Sequence, residues 1–204
     1  MNFKECTLNL KELFENIKDT KYFVTKINTP FFKLEKKFPE LYPVGRDVDL
    51  LTHPCDFENI CSVVHKFCEK QDMVFRIIHD SPTHRRYRLE SPDYFLLPNA
   101  VPGDKLRNGL PLTKLHFQID VSSIEENEYS GVDTKAFEAD MNNPTFENGV
   151  KILDNKNEVL LRCVFYAKSK SRHHRDFIYQ NRDLLNTGQI LDREIWSAIN
   201  PVVS

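Results

Sequence analysis

Several absences narrow this chain before any motif is read. No apolar run approaches the roughly 18 residues needed to cross a bilayer, and no signal peptide opens the sequence, so a cytoplasmic protein with no membrane span is expected. No Cys-x-x-Cys pair occurs among the five cysteines, Cys6, Cys55, Cys61, Cys68 and Cys163. An odd count without metal-ligand spacing argues against a disulfide framework or a structural zinc site. Reduced thiols are expected, with Cys61 and Cys68 in a helix core. There is no internal repeat or low-complexity tract. An excess of positive charge is also missing: the formal net charge is −2, which gives no general attraction to nucleic acid. At 204 residues the chain suits one domain, or one with a small appendage.

What is present centres on Val44-Gly45-Arg46-Asp47-Val48-Asp49-Leu50-Leu51, a glycine turn entering a short strand. Strand side chains alternate, so Asp47 and Asp49 share one face while Val48 and Leu50 occupy the other. Adjacent carboxylates repel, and a fold tolerates them around a cation or in water. The apolar neighbours favour the cation, while a plain Asp-rich turn before a strand remains open.

A third acid comes later. Lys114 to Val121 alternates, with Leu115, Phe117, Ile119 and Val121 on one side and Lys114, His116, Gln118 and Asp120 on the other. Asp120 can join Asp47 and Asp49 if the two strands are neighbours. Three carboxylates so placed suit one or two Mg²⁺ ions, which take oxygen ligands and leave positions for water and phosphates.

The remaining pattern predicts a helix over Leu8–Lys18 and a strand over Lys21–Ile27. A proline-broken loop should follow over Asn28–Pro43, with Lys33, Lys36 and Lys37 among its aromatics. After the Asp47–Thr52 strand, Phe57, Ile60, Cys61, Val64, Phe67 and Cys68 mark one face of a helix to Glu69, with Asp56 as its expected N-cap. Met73–Ile78 and Arg85–Leu89 read as a hairpin, and Tyr94–Leu97 and Leu112–Val121 as further strands. A loop, Pro98–Pro111, joins these last two. Ser122–Gly149 reads as an acidic connection with a short helix, and Asn157–Lys168, Arg172–Leu185 and Asp192–Ile199 as helices, the last capped by Asp192. Leu184, Leu185, Ile195, Trp196 and Ile199 are expected to fill their core. The order implies an α+β fold: a mixed sheet braced by helices over 1–122, then a connection and helical C-terminal part over 123–204.

The Gly-x-Asp-x-Asp-Leu-Leu strand, the bracing helix and the later strand ending in Asp120 resemble the nucleotidyltransferase fold of the polymerase-β-like superfamily. The similarity covers roughly Lys21–Ser122, and in particular the chain looks like the small members associated with surface-polysaccharide gene clusters. The resemblance implies Mg²⁺ (or Mn²⁺) held by Asp47, Asp49 and Asp120. It implies a nucleoside triphosphate donor and a small-molecule or sugar-phosphate hydroxyl as acceptor. One metal held by all three acids would activate that hydroxyl; a second, on Asp47 and Asp49, would neutralise the leaving pyrophosphate. Asp120 could also take the acceptor's proton. The superfamily's Gly-Ser pair at a helix start is absent, so Gly45, Arg46 and Lys26 are the candidate phosphate contacts. His116 is a candidate outer partner of the acids, or a structural histidine.

Two basic clusters remain open between phosphate contact and solvated turn: His84, Arg85, Arg86 and Arg88, and Lys168, Lys170, Arg172, His173, His174 and Arg175. Two rival functions stand beside the transferase. One is a nucleotidyltransferase-like binding module without catalysis, motivated by the missing Gly-Ser pair. The other is a metal-dependent glycosyltransferase, which would need a mostly parallel sheet.

Overall fold

A computed structural model describes residues 7–26, 38–43, 47–96, 106–107, 110–126 and 129–203. The strands, in chain order, are β1 (Thr7–Leu8), β2 (Tyr22–Thr25), β3 (Tyr42–Pro43), β4 (Asp47–Thr52), β5 (Val74–Asp80), β6 (His84–Leu96), β7 (Leu106–Arg107), β8 (Leu110–Ser123), β9 (Thr145–Glu147) and β10 (Val150–Ile152). The helices are α1 (Lys11–Ile17), α2 (Pro54–Glu69), α3 (Lys135–Asn142), α4 (Asn155–Ser169), α5 (Arg172–Gln180) and α6 (Arg193–Val203). The main sheet runs β5-β6-β8-β4-β2-β10-β9, with β7 paired to β8. It is mixed: β4 is parallel to β8 and antiparallel to β2, while β6 is antiparallel to both β5 and β8. The α+β class expected from the sequence is the one observed.

Alternation sorts the sheet into two faces. Tyr22, Val24, Val48, Leu50, Tyr87, Leu89, Phe117, Ile119 and Val121 pack with the apolar stripes of α1 and α2 in one core. α2 contributes all six residues of its predicted stripe, including Cys61 and Cys68. Phe23 and Leu51 face the other way, into a second core with Phe137 and Met141 of α3, Leu160, Leu161 and Val164 of α4, Ile178, and Ile195 and Ile199 of α6. The helical part therefore covers one end of the opposite face. Beyond its margin that face turns polar.

Some local expectations need correction. The N-cap of α2 is His53, whose ring accepts from the Cys55 N–H; the Asp56 carboxylate instead accepts from the Lys21 N–H at 3.0 Å. Trp196 and Leu184 do not fill the helical core but stay 38% and 43% exposed. Arg172–Leu185 is helical only to Gln180 and then tightens into a 3₁₀ turn at Arg182–Leu184. The acidic connection holds α3 as expected, but also a hairpin, β9–β10, turned by Asn148 and Gly149 at φ 51° and 79°. Left-handed residues at both central positions match the strand twist, and asparagine and glycine adopt them most cheaply. β10 then pairs parallel with β2 and extends the main sheet.

Candidate active site

The site follows from register. Across the sheet Asp49 pairs with Thr25 of β2 on one side and with Asp120 of β8 on the other, and Asp120 pairs with Arg86 of β6. Paired residues share a face, so Thr25, Asp49, Asp120 and Arg86 form one row, with strands about 4.8 Å apart. Asp47 stands in the next row, paired with Gln118, which pairs in turn with Arg88. The Tyr42 hydroxyl anchors that end of β4 by donating to the Asp47 carbonyl at 2.6 Å. The helical part stops just short of these rows. Ser122 and Asp120 are buried, Asp49 is half-buried and Asp47 exposed.

Each inner acid has a cation. The Lys26 ammonium lies 2.7 Å from Asp49 Oδ1, and Arg86 Nε lies 2.6 Å from Asp120 Oδ1. The side chains of Asp49 and Asp120 are only 17% and 10% exposed, so these pairs are poorly screened and outweigh an ordinary surface ion pair. Burial raises the Asp120 pKa, Arg86 lowers it by hydrogen bonding, Asp49 raises it again, and the net shift is upward. Asp47 is raised by burial and by repulsion from Asp49 and Asp120, against weaker relief from His116 and Lys26. Because the residue is exposed at the surface, repulsion is the cause that matters there. A cleft of about 120 Å³ opens over the row, lined among others by Thr25, Lys26, Asp49, His84, Arg86 and Asp120, with Tyr129 and Phe165 as its aromatic walls.

Lys26 reaches the acids through an unusual backbone. Strand alternation would put it beside Tyr22 and Val24 under α1 and α2. Instead it leaves β2 at φ 62°, in the left-handed region, and its side chain turns to the acid face. Its N–H donates to Glu158 Oε1 of α4 at 3.0 Å, and its ammonium sits 4.1 Å from the centroid of the Phe165 ring.

The donor chemistry suits a hard divalent cation, since three carboxylates face the same way on two adjacent strands. The side-chain arrangement suits it less: among the described residues no group of three or more His, Cys, Asp or Glu converges to hold a metal. Lys26 and Arg86 occupy the positions on Asp49 and Asp120 that such an ion would share.

Asp49, Asp120 and Lys26 thus meet in one place, with Asp47 one row out on the same face. His116, on the same polar face of β8, acts electrostatically on Asp47. Gly45 and Arg46 lie outside the described residues. Of the first basic cluster, Arg86 joins the row, while Arg85 turns to the opposite face and pairs with Asp80 and Glu58. In the second, His174 is buried against Arg162, and Arg172 and Arg175 both pair with Asp176. Thr25, Glu158 and Phe165 are site neighbours that sequence reasoning missed. The alternation of His84, Arg86 and Arg88 could have put Arg86 on one face; nothing local to α4 points at Glu158.

Among the described residues no helix is long and apolar enough to cross a membrane. No family model matches the chain, and no curated protein matches it. Among solved structures it is similar to JHP933 from Helicobacter pylori, with 12% identity over 95% of this chain and 77% of that one, at a TM-score of 0.37. It is also similar to a protein of H. pylori described as a candidate nucleotidyltransferase, with 13% identity over 95% of this chain and 91% of that one, at a TM-score of 0.38. Similarity this distant transfers no activity, and it lends no support to an association with surface-polysaccharide gene clusters.

Proposed function

We propose that this chain is a nucleotidyltransferase. It would move a nucleotidyl group from a nucleoside triphosphate to the hydroxyl of a small molecule or sugar phosphate, with Mg²⁺ or Mn²⁺ held by Asp47, Asp49 and Asp120. The observation that carries this reading is the pairing of Asp49 with Asp120 across parallel β4 and β8, with Asp47 one row out on the same face. A bound divalent ion supplies charge neutralisation at the phosphates and acidifies the acceptor hydroxyl.

The chain's own residues do the rest. Lys26 and Arg86, at opposite ends of the row, present one ammonium and one forked guanidinium to phosphate oxygens. The acceptor oxygen bonds to the α-phosphorus, the bond to the bridging oxygen breaks, and pyrophosphate leaves. The hydroxyl proton passes to Asp120, the acid that lies across from Asp49 in the row. Phe165 and Tyr129 wall the cleft on the helical side.

The test is pyrophosphate release from each of the four common ribonucleoside triphosphates with Mg²⁺ and a panel of sugar phosphates. Asp120→Asn should slow release about 100-fold or more, the loss expected of a general base. Release indifferent to Asp120→Asn, or none with any donor, would overturn the assignment. A second reading, a nucleotide-binding module without turnover, draws on the ion pairs that hold Asp49 and Asp120. It predicts triphosphate binding with no pyrophosphate released. The glycosyltransferase reading gains nothing from a sheet whose β5, β6 and β8 are antiparallel neighbours.

A further inference from the structure

We propose that Arg76 and Arg88, side by side on the open half of the acid face, form a phosphate-binding subsite for the acceptor. The inference rests on the nucleotidyltransferase reading and names the chemistry of its second substrate, a phosphomonoester on the same small molecule as the reacting hydroxyl.

The subsite follows from the same register as the acids. β6 pairs with β8 on one side and with β5 on the other. The Asp47–Gln118 pair therefore continues through Arg88 to Arg76, as the Asp49–Asp120 pair continues through Arg86 to His79. A bulge between Ile77 and His79 keeps both rows on one face despite the odd spacing of Arg76 and His79. Among the described residues the second core takes nothing from β5 or β6, so the helical part leaves these side chains open. Arg76 and His79 are exposed, and the side chain of Arg88 is 36% exposed.

Charge divides this face in two. Among its described residues, β4 and β8 carry Asp47, Asp49 and Asp120, with Lys26 at the β2 end. β6 and β5 carry Arg76, Arg86 and Arg88 against Glu90 alone. With His79, His84 and His116 counted as neutral, the face as a whole balances, while its outer half keeps a positive surplus. Arg86 Nε is held by Asp120, and Arg88 Nε lies 3.0 Å from Glu90 Oε1. Arg76 stands directly across from Arg88, a like-charge pair that costs stability until an anion lies between the two. Two forked guanidiniums on strands about 5 Å apart match the oxygens of one tetrahedral phosphate. The pair is too short for a polymer backbone, which takes a basic track several nucleotides long. It begins one strand and one row from Asp120, about 8 Å away at the backbone, a separation that a monosaccharide bridges between hydroxyl and phosphate.

Isothermal titration with glucose 1-phosphate, inorganic phosphate and glucose reads the subsite without turnover. Wild-type protein should bind both phosphates and not glucose. Arg76→Gln and Arg88→Gln should each weaken both about tenfold or more, while affinity for a non-hydrolysable triphosphate analogue changes less than about twofold. Arg76→Lys should recover part of the loss, since it restores the charge without the fork. Thermal melting checks that each variant folds, and Arg76, exposed on an edge strand, is the substitution the fold tolerates more readily. Phosphate affinity unchanged in the folded Arg76→Gln protein, or absent from wild type, overturns the subsite and leaves the arginines as charged protection of a sheet edge. Tighter binding of a single-stranded octanucleotide than of glucose 1-phosphate, lost in the same variants, overturns it in favour of a nucleic-acid surface. The transferase reading fails separately, if none of these proteins binds the triphosphate analogue.

Discussion

On the face under α1 and α2, β4 contributes Val48 and Leu50, 2% and 1% exposed and packed wholly among apolar side chains. On the opposite face the same strand contributes Asp47 and Asp49, which meet a third acid and two cations. Six residues thus serve two purposes, separated only by strand alternation. The apolar face needs nothing but shape and volume, so its partners are interchangeable in kind. The acid face needs specific charges at specific register positions, and it sits at the edge of the helical core, where carboxylates stay partly hydrated yet interact strongly.

That division can be broken deliberately. The largest effect should come where the acid face is propped from behind. Glu158→Ala strands the fully buried Arg162 charge and should cost about 3–5 kcal/mol of unfolding free energy in urea titration. A loss below about 1 kcal/mol would mean that water reaches Arg162 after all. Close behind, Leu50→Ala on the apolar face should cost about 3 kcal/mol through lost burial and a cavity, with Asp49 left in register.

A smaller effect is pH-linked. Burial, with Arg162 nearby, pushes the His174 pKa down from 6.5 to about 3. Between those values the unfolded chain takes up a proton that the folded one refuses, so stability present above pH 6.5 is lost as pH falls below it. From pH 7 to pH 5 this amounts to about 2 kcal/mol. The raised carboxyls of Asp47 and Asp120 act oppositely, favouring the fold as pH falls through their folded values. His174→Gln isolates the histidine contribution, and its stability should vary less with pH across that range. An unchanged pH profile would show that His174 does not titrate differently on unfolding.

Much of this was legible in the sequence. The six-residue stripe of α2, the alternation of β8 and the Asp-x-Asp strand place the apolar core and the three acids on opposite faces without coordinates. What escaped depends on contacts distant in sequence or on single backbone angles. Glu158 reaches Lys26 across 132 positions, which no local pattern reveals. Lys26 itself reads onto the wrong face, because alternation fails at a left-handed residue. The β9–β10 hairpin is a different kind of miss. Asn148-Gly149 is a strong two-residue turn signal, overlooked because the flanking strands are three residues each and carry little alternation of their own.

The smallest changes should mark where the two faces stop mattering. Asp49→Asn keeps an amide oxygen for the Lys26 ammonium and relieves the repulsion on Asp47, so its effect on stability should stay within about 1 kcal/mol, while nucleotidyl transfer falls about 100-fold. Lys11→Ala opens an exposed pair with Glu40, at 61% and 58% side-chain exposure, and should be silent in both assays.

The most direct measurement is a crystal structure with Mn²⁺ and a non-hydrolysable triphosphate analogue, read by anomalous scattering at the manganese edge. A manganese peak against Asp47, Asp49 and Asp120 is expected, with the analogue's phosphates beside Lys26 and Arg86. A peak elsewhere, or none, would contradict the assignment.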